Sequence, residues 1–455
     1  MRKDVEQFRG SFGRLYEGSK AKSKTLTKRS AIAMDRQDRP VFEAYADAAL
    51  LPAVQEEYAV QRPIREWFGK SPAVNKSAIG AHPEFSHLEG TDETEWHHIT
   101  TMFIDIANST RLSLRYDLEM VRHIKNSILR AASEVVRSMD GHVHRFMGDA
   151  LMAYFGGRLQ KKESSAMAAL SCAAMLQVLM TQSVVPDLLR NGIEARDIGF
   201  RVGVDFGGDR EVLWSSYGYS DVNEVTATSF FVDASAKLQG MASKDSAMLG
   251  QNLLNFLDFP EAMTDRKYKS RDGKDELVEY LAPNYIRQDG TPNNYRIREL
   301  SFDKFARLLP LPTELKELVV GGVKSHGGIS FCAHVLNDGQ ASVRYPSNSA
   351  CLEKDRSIRF ELRAEPGALD GVRLPLSGKF TKQNYGLQAK EAGHSAPEII
   401  SFAMQPATGA YRGQRPTISS ITRDTAYRGL HTVSVELVDG RGDLLFADVV
   451  GVHIV

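Results

Sequence analysis

The sequence predicts an α+β protein in which helices pack on a mainly antiparallel sheet, with a smaller β-sandwich at the C-terminal end. Three observations carry this. From residue 98 to 241, runs of strand-like and helix-like patterning follow one another as strand, helix, hairpin, helix, hairpin, helix. Near residues 283 to 300 the stretch APNYIRQDGTPNNYRIREL is rich in turn formers and reads as a connection. The chain then ends in LHTVSVELVDGRGDLLFADVVGVHIV, where Val433, Val435 and Leu437 alternate, a turn falls near Asp439-Gly440, and a second strand returns. A chain of 455 residues exceeds what one hydrophobic core comfortably holds. The expected division is a helical N-terminal region over 1–95, an α+β domain over 96–285, a linker over 286–324 and a β-rich domain over 325–455.

The elements follow from local pattern. Residues 1–95 are rich in Lys, Arg, Ala and Glu. The basic stretch SKAKSKTLTKRS reads as a solvated segment, and PVFEAYADAALLPAVQEEYAV as helical packing material or a dimerisation arm. HITTMFIDIAN, β-branched and aromatic, reads as a buried strand. Leu114, Leu118, Val121, Ile124, Ile128, Ala132, Val135 and Met139 then recur at spacings of three and four, the mark of one long amphipathic helix that Gly141 stops. HVHRFMGDALMAYFGG gives two strands around Gly148-Asp149, and ESSAMAALSCAAMLQVLM a largely buried helix. DIGFRVGVDFGG and REVLWSS give a second pair of strands, and FFVDASAKLQGMA a third helix.

Composition excludes several function classes. Lys+Arg and Asp+Glu each total 57, so no global field favours nucleic acid or an anionic membrane, and a polyanionic ligand needs a local site. Cys172, Cys332 and Cys351 are scattered without CxxC spacing, which argues for reduced thiols and against a thiolate metal site. The N-terminus has no apolar core of a signal peptide, and no run approaches the roughly 20 apolar residues of a membrane span. These features predict a cytoplasmic protein with no stable nucleic-acid or membrane partner.

The Gly-Asp tip of HRFMGDALMAYF is, alone, an ordinary turn. A second carboxylate, Asp105, ends the strand MFIDIAN 44 residues earlier (149 minus 105). A strand, a helix and a return strand of that combined length bring strand end and hairpin tip side by side. Two adjacent carboxylates repel unless a cation lies between them, the arrangement from which two-metal phosphoryl-transfer sites are built. All-oxygen ligation suits Mg²⁺ or Mn²⁺. The turn ANST, Ala107, Asn108, Ser109 and Thr110, is placed to offer backbone N–H groups to phosphates.

FIDIANSTRL and GHVHRFMGDALMAYFGG resemble the two metal-binding segments of class III nucleotide cyclases. VGVDFGG and VDASAKL fall where that family places its remaining active-site elements, and the similarity spans about residues 96 to 285. The resemblance implies that a ribose 3′-oxygen attacks the α-phosphate of a nucleoside triphosphate and releases pyrophosphate. It implies that Asp105 and Asp149, assisted by the Ile106 carbonyl, hold two divalent ions. It also implies a head-to-tail homodimer with active sites at the interface. Arg145 stands where family adenylate cyclases carry a base-reading Lys, and Thr226 falls on the second base-reading position. Asp233 and Lys237 stand where the family offers Asn and Arg to the ribose and the phosphorane, and Lys lacks the Arg fork. Phe103 is placed to line the base pocket. Arg145 as a forked donor and Thr226 as an acceptor favour uracil over cytosine, hence UTP over CTP. The alternatives are a cytidylate cyclase, then an adenylate cyclase, then a degenerate nucleotide-binding sensor.

The segment from Asp424 to Val455, notably Tyr427, Gly429, His431 and Val433 and the Ala447 strand, resembles the sensor domain of bacterial antiphage cyclases and nucleotidyltransferases. Together with Arg145 it makes the chain resemble the pyrimidine cyclases of the Pycsar defence system, which implies a cyclic nucleotide that activates a separate effector. Two further motifs are read as structural. Gly207-Gly208-Asp209 in FGGDRE reads as a hairpin turn and not as a GGDEF signature. His142, His144, His97 and His98 lack a third ligand at metal spacing and read as hydrogen-bonded histidines.

Overall fold

A computed structural model describes residues 2–18, 58–219, 222–271, 273–337, 342–405 and 415–455. The basic stretch 19–30, and all but the last three residues of the helical pattern that follows it, lie outside the described residues. The centre of the molecule is a seven-stranded sheet. Its strands, named in chain order, include β2 (Ile99–Ala107), β3 (His142–Met147), β4 (Ala150–Phe155), β5 (Gly199–Gly207), β8 (Ser246–Gly250), β9 (Thr264–Asp265) and β12 (Ile297–Leu300), in the spatial order β3-β4-β2-β5-β8-β12-β9. Every neighbouring pair is antiparallel except β5 and β8. β1 (Thr94–Trp96), β6 (Leu213–Tyr219) and β7 (Val222–Thr228) form a separate three-stranded sheet. The expected FGG/REVLWSS hairpin is therefore corrected: β5 and β6 do not pair, because the chain leaves one sheet at Gly208-Asp209 and enters another.

Alternation along β2 decides what each face carries. Met102, Ile104 and Ile106 enter the main core with the helices Leu118–Ser138 and Lys162–Leu179. Phe103 packs on the opposite side, against the cluster holding Met152, Tyr154 and Trp214, and Asp105 shares its parity. A carboxylate can thus end a buried strand without entering the core. The long helix begins later than its periodicity suggests: Leu114 closes a 3₁₀ turn, Asp117 caps the helix by accepting from Met120 N at 2.8 Å, and Leu114 and Leu118 are exposed. The Lys162–Arg190 stretch is apolar enough by composition to resemble a membrane span, which the sequence reading did not expect, but it is largely buried against the sheet. The helix Phe230–Met241 lies against β5 so closely that a Cβ at Gly203 would stand 2.1 Å from the Ser235 carbonyl oxygen. That glycine fixes the height of the helix above the sheet.

The stretch read as a linker carries structure. Ile297–Leu300 pairs with both β8 and β9, and Phe305, Leu308, Leu309 and Leu315 are buried in the main core. The turn formers at 283–294 masked apolar residues just beyond them. Residues 284–294 form a folded loop, with Asn293 N donating to the Tyr285 carbonyl at 2.7 Å. Tyr295, at its end, donates its hydroxyl to Asp205 at 2.6 Å and accepts from Asn252 N at 2.8 Å. The C-terminal region is a sandwich of a four-stranded and a five-stranded sheet sharing one apolar core that includes Val433, Val435 and Leu437. It docks on the rest through the buried Lys316–Asp448 pair (2.9 Å) and Arg428, which donates to the Phe256 carbonyl at 2.9 Å.

Asp205, wholly buried on β5, gives a measurable signature of this anchoring. Burial pushes its carboxyl up to about 7, against hydrogen bonds from Tyr295 and the Phe206 and Leu253 amides that pull it down. An unfolded Asp titrates near 4, so the folded state holds the proton more tightly across the window from about 4 to about 7. Its contribution is favourable below that window and is lost as pH rises through it. Denaturant unfolding of Asp205→Asn should therefore show a stability difference from wild type that moves in the variant's favour between pH 5 and pH 8. A pH-independent difference contradicts the assignment.

Candidate active site

The end of β2 and the tip of the β3–β4 hairpin, which carry the two aspartates, lie side by side. β3 and β4 meet in a two-residue turn, Gly148 taking φ +67°, and Ile106 N donates to the Asp149 carbonyl at 3.2 Å. Asp105 lies opposite Ala150 on one side and Arg201 on the other. Arg201 Nε donates to Asp105 Oδ2 at 2.9 Å, and Nη2 contacts the same oxygen. The Ser109 hydroxyl donates to Asp149 Oδ2, and Lys125 Nζ, from the long helix, lies 3.4 Å from it. Partial burial works to raise the Asp149 carboxyl, but Ser109 and Lys125 outweigh it and hold the group below the usual carboxylate range.

The ANST turn differs from expectation in one respect. It opens a six-residue 3₁₀ helix, Ser109–Leu114, and not the long helix itself. Asn108 takes φ 59° and ties its side chain to the Asp197 carbonyl at 2.7 Å, Ala107 is buried, and Thr110 is exposed. The donor set fits hard divalent cations: two carboxylates, with a guanidinium and an ammonium already drawn to them, and Oδ1 of Asp105 uncommitted among the described residues. Asp105, Asp149 and the Ile106 carbonyl are the groups available to hold them. Among the described residues, no group of three or more His, Cys, Asp or Glu gathers at a metal spacing. The histidines are instead hydrogen-bonded, His142 Nε2 and His144 Nδ1 each lying 2.9 Å from the Gly80 carbonyl.

Arg145 and Thr226 belong to a second group, which includes a residue the sequence reading missed. A bulge at His144 interrupts the β3–β4 register. Arg145 Nη2 lies 2.5 Å from Glu224 Oε2 and 3.0 Å from His144 Nε2. Burial lowers the His144 pKa, against the Gly80 carbonyl and Glu224, which work to raise it. Nδ1–H is donated to the Gly80 carbonyl, and Nε2 lies between Arg145 Nη2 and Glu224 Oε1, the latter at 3.2 Å. Arg145 Nε is buried without a hydrogen-bond partner among the described residues. Beside them, Ala227 N approaches the Tyr154 hydroxyl at 3.5 Å, and the Tyr154 and Thr226 hydroxyls lie 3.3 Å apart, either able to donate to the other. Glu224 stands two residues before Thr226 on one strand, hence on the same face, and that spacing is the signal that would have found it.

Asp233 and Lys237 form a third group. Both are exposed on Phe230–Met241 and line an open cleft of about 930 Å³, and among the described residues they form no ion pair with each other. Within one chain no hydrogen bond or ion pair among the described residues joins the Asp105/Asp149 group to the Arg145/Thr226 group.

Residues 92–218 match the adenylate and guanylate cyclase catalytic domain, and residues 317–455 match the adenylyl/guanylyl and SMODS C-terminal sensor domain. A protein of Escherichia coli named cytidylate cyclase is 34% identical over 98% of this chain and 98% of its own. The chain belongs to the class III nucleotide cyclases. A second relative of this cyclase, also named cytidylate cyclase and from Staphylococcus aureus, is 29% identical over 97% of this chain and 95% of its own. A protein named uridylate cyclase, from Rhodovulum sp., is 28% identical over only 27% of this chain and 51% of its own.

Proposed function

We propose that this cyclase converts CTP to 3′,5′-cyclic CMP and pyrophosphate as a homodimer. The observation that carries the base assignment is the Glu224 carboxylate, on the same face of its strand as Thr226 and in contact with Arg145 and His144. Cytosine presents an amino donor at C4 and acceptors at N3 and O2. Glu224 accepts from the amino group, the Thr226 hydroxyl donates to N3, and Arg145 donates to O2. Uracil places a carbonyl at C4, facing the carboxylate, and an N–H at N3. The uridine preference read from Arg145 and Thr226 alone omitted this carboxylate. The two relatives matched along nearly their whole length, both named cytidylate cyclase, support the same base.

In the reaction the ribose 3′-oxygen attacks the α-phosphorus and releases its proton. The bond from that phosphorus to the bridging oxygen breaks with its electron pair going to pyrophosphate. Two Mg²⁺ or Mn²⁺ ions, held by Asp105 and Asp149 with the Ile106 carbonyl, supply acidification of the hydroxyl and neutralisation of the triphosphate when bound. Asp233 and Lys237 face the ribose and the α-phosphate from the other subunit. Exposed Leu114, Leu118, Phe146 and Met147, around the two carboxylates in the sequence, supply apolar surface for that subunit. The enzyme acts in the cytoplasm, its product activates a separate antiphage effector, and the C-terminal sandwich receives the infection signal.

Purified protein should be incubated with each of the four nucleoside triphosphates and Mn²⁺, and the products identified by mass. Cyclic CMP is the expected main product. Cyclic UMP as main product overturns the cytosine assignment, cyclic AMP or cyclic GMP alone overturns the pyrimidine reading, and no product overturns the enzymatic one.

A further inference from the structure

We infer that Arg287, from the loop between β11 (Lys274–Val278) and β12, is a catalytic residue that supplies the guanidinium the Phe230–Met241 helix lacks. The inference rests on the cyclase reading and goes beyond it, because neither the motif nor the sheet carries this residue. Lys237 offers a point charge to the α-phosphate where a forked donor would bind two oxygens at once. Arg287 lines the same cleft as Asp233 and Lys237. Its guanidinium is oriented before any ligand arrives: Nε and Nη2 donate to Asn293 Oδ1 at 3.1 and 3.0 Å, and Nη2 also to the Asn293 carbonyl at 3.3 Å. Nη1 has no hydrogen-bond partner among the described residues, and no carboxylate there pairs with the charge. The nearest acid in sequence, Asp289, feels the Arg287 charge but forms no ion pair with it, and its Oδ1 accepts from the backbone N and hydroxyl of Thr291 at 2.9 and 2.6 Å.

The loop is fixed in place. Tyr295 ties its end to the buried Asp205, and the Tyr295 ring packs edge-on against Phe230 at the start of the helix, 5.1 Å between centroids. An exposed cation held by a neutral amide, lining one cleft with a second cation and with no ion pair to either among the described residues, describes an anion site. In the cyclisation, negative charge grows on the non-bridging oxygens of the α-phosphate, where a preorganised donor acts most strongly. Asn293 is accordingly a positioning residue.

Steady-state turnover with the nucleotide that the wild type prefers tests this. Arg287→Gln keeps the stem at an exposed position and should lower kcat about 30-fold with KM changed less than about threefold. That is less than the roughly 10²- to 10³-fold loss of a sole oxyanion donor, because Lys237 remains. Arg287→Lys should fall between, and Asn293→Ala should lower kcat by about fivefold at an unchanged unfolding temperature. An unchanged kcat in Arg287→Gln overturns the proposal. If the wild type turns over no nucleotide, the cyclase reading fails, and calorimetric binding of Mg²⁺-tripolyphosphate decides Arg287 separately. An affinity about tenfold weaker in Arg287→Gln then keeps it as an anion site, and equal affinity removes it.

Discussion

Asp149→Ala should lower turnover by about 10³-fold or more while changing the unfolding free energy by less than about 1 kcal/mol. Losing a group that merely orients a metal ligand costs about 10- to 100-fold, and Asp149 is placed to be a ligand itself. Stability responds differently, because Asp149 is half-buried and its charged partner Lys125 is partly exposed, so that only the buried Ser109 hydroxyl loses an acceptor. Half-exposed ion pairs contribute about 0–1 kcal/mol. Asp105→Ala should match it in turnover, leaving Arg201, itself part-exposed, without its carboxylate. Activity assays with the preferred nucleotide, Mn²⁺ titration and urea unfolding on the same samples separate the two effects. Activity within tenfold of wild type in either variant removes that carboxylate from the metal site, and a matching loss of several kcal/mol assigns it a structural role instead.

These two carboxylates were legible because their signal is local. Asp105 interrupts a strand at a position whose parity excludes it from the core, and Gly148 supplies the positive φ that a two-residue turn requires. What surrounds them was not legible, because register and helix placement bring it in over long separations. Arg201 reaches Asp105 only because β5 pairs with β2 residue for residue, and Lys125 reaches Asp149 from the middle of a helix. The hairpin assigned to FGG/REVLWSS failed for a related reason: adjacency in sequence does not say which sheet a strand joins. Arg287 lay in a segment whose Asn, Pro and Gly content looks like a tether, whereas Tyr295 and Asp205 make it part of the fold.

Glu224→Gln should change the choice of base more than the rate of reaction. The carboxylate offers two acceptors and no donor, so it favours the cytosine amino group and repels the uracil carbonyl. An amide in its place has an acceptor at one end and a donor at the other and can turn either to the ligand. A hydrogen bond to a charged group is worth about 1.5–3 kcal/mol, or about 10- to 100-fold in kcat/KM. The CTP-over-UTP preference should fall by that factor, in part through a gain for UTP, measured by competition between the two nucleotides with products resolved by mass. The variant also removes the carboxylate that holds Arg145 at 2.5 Å, so some loss for both nucleotides is expected. Thr226→Val separates the effects: it removes the donor proposed for N3 while leaving the Glu224–Arg145 pair in place. If Glu224→Gln lowers CTP and UTP turnover equally, the carboxylate only positions Arg145. If UTP falls further than CTP, the cytosine assignment fails and Glu224 serves uracil through the arginine.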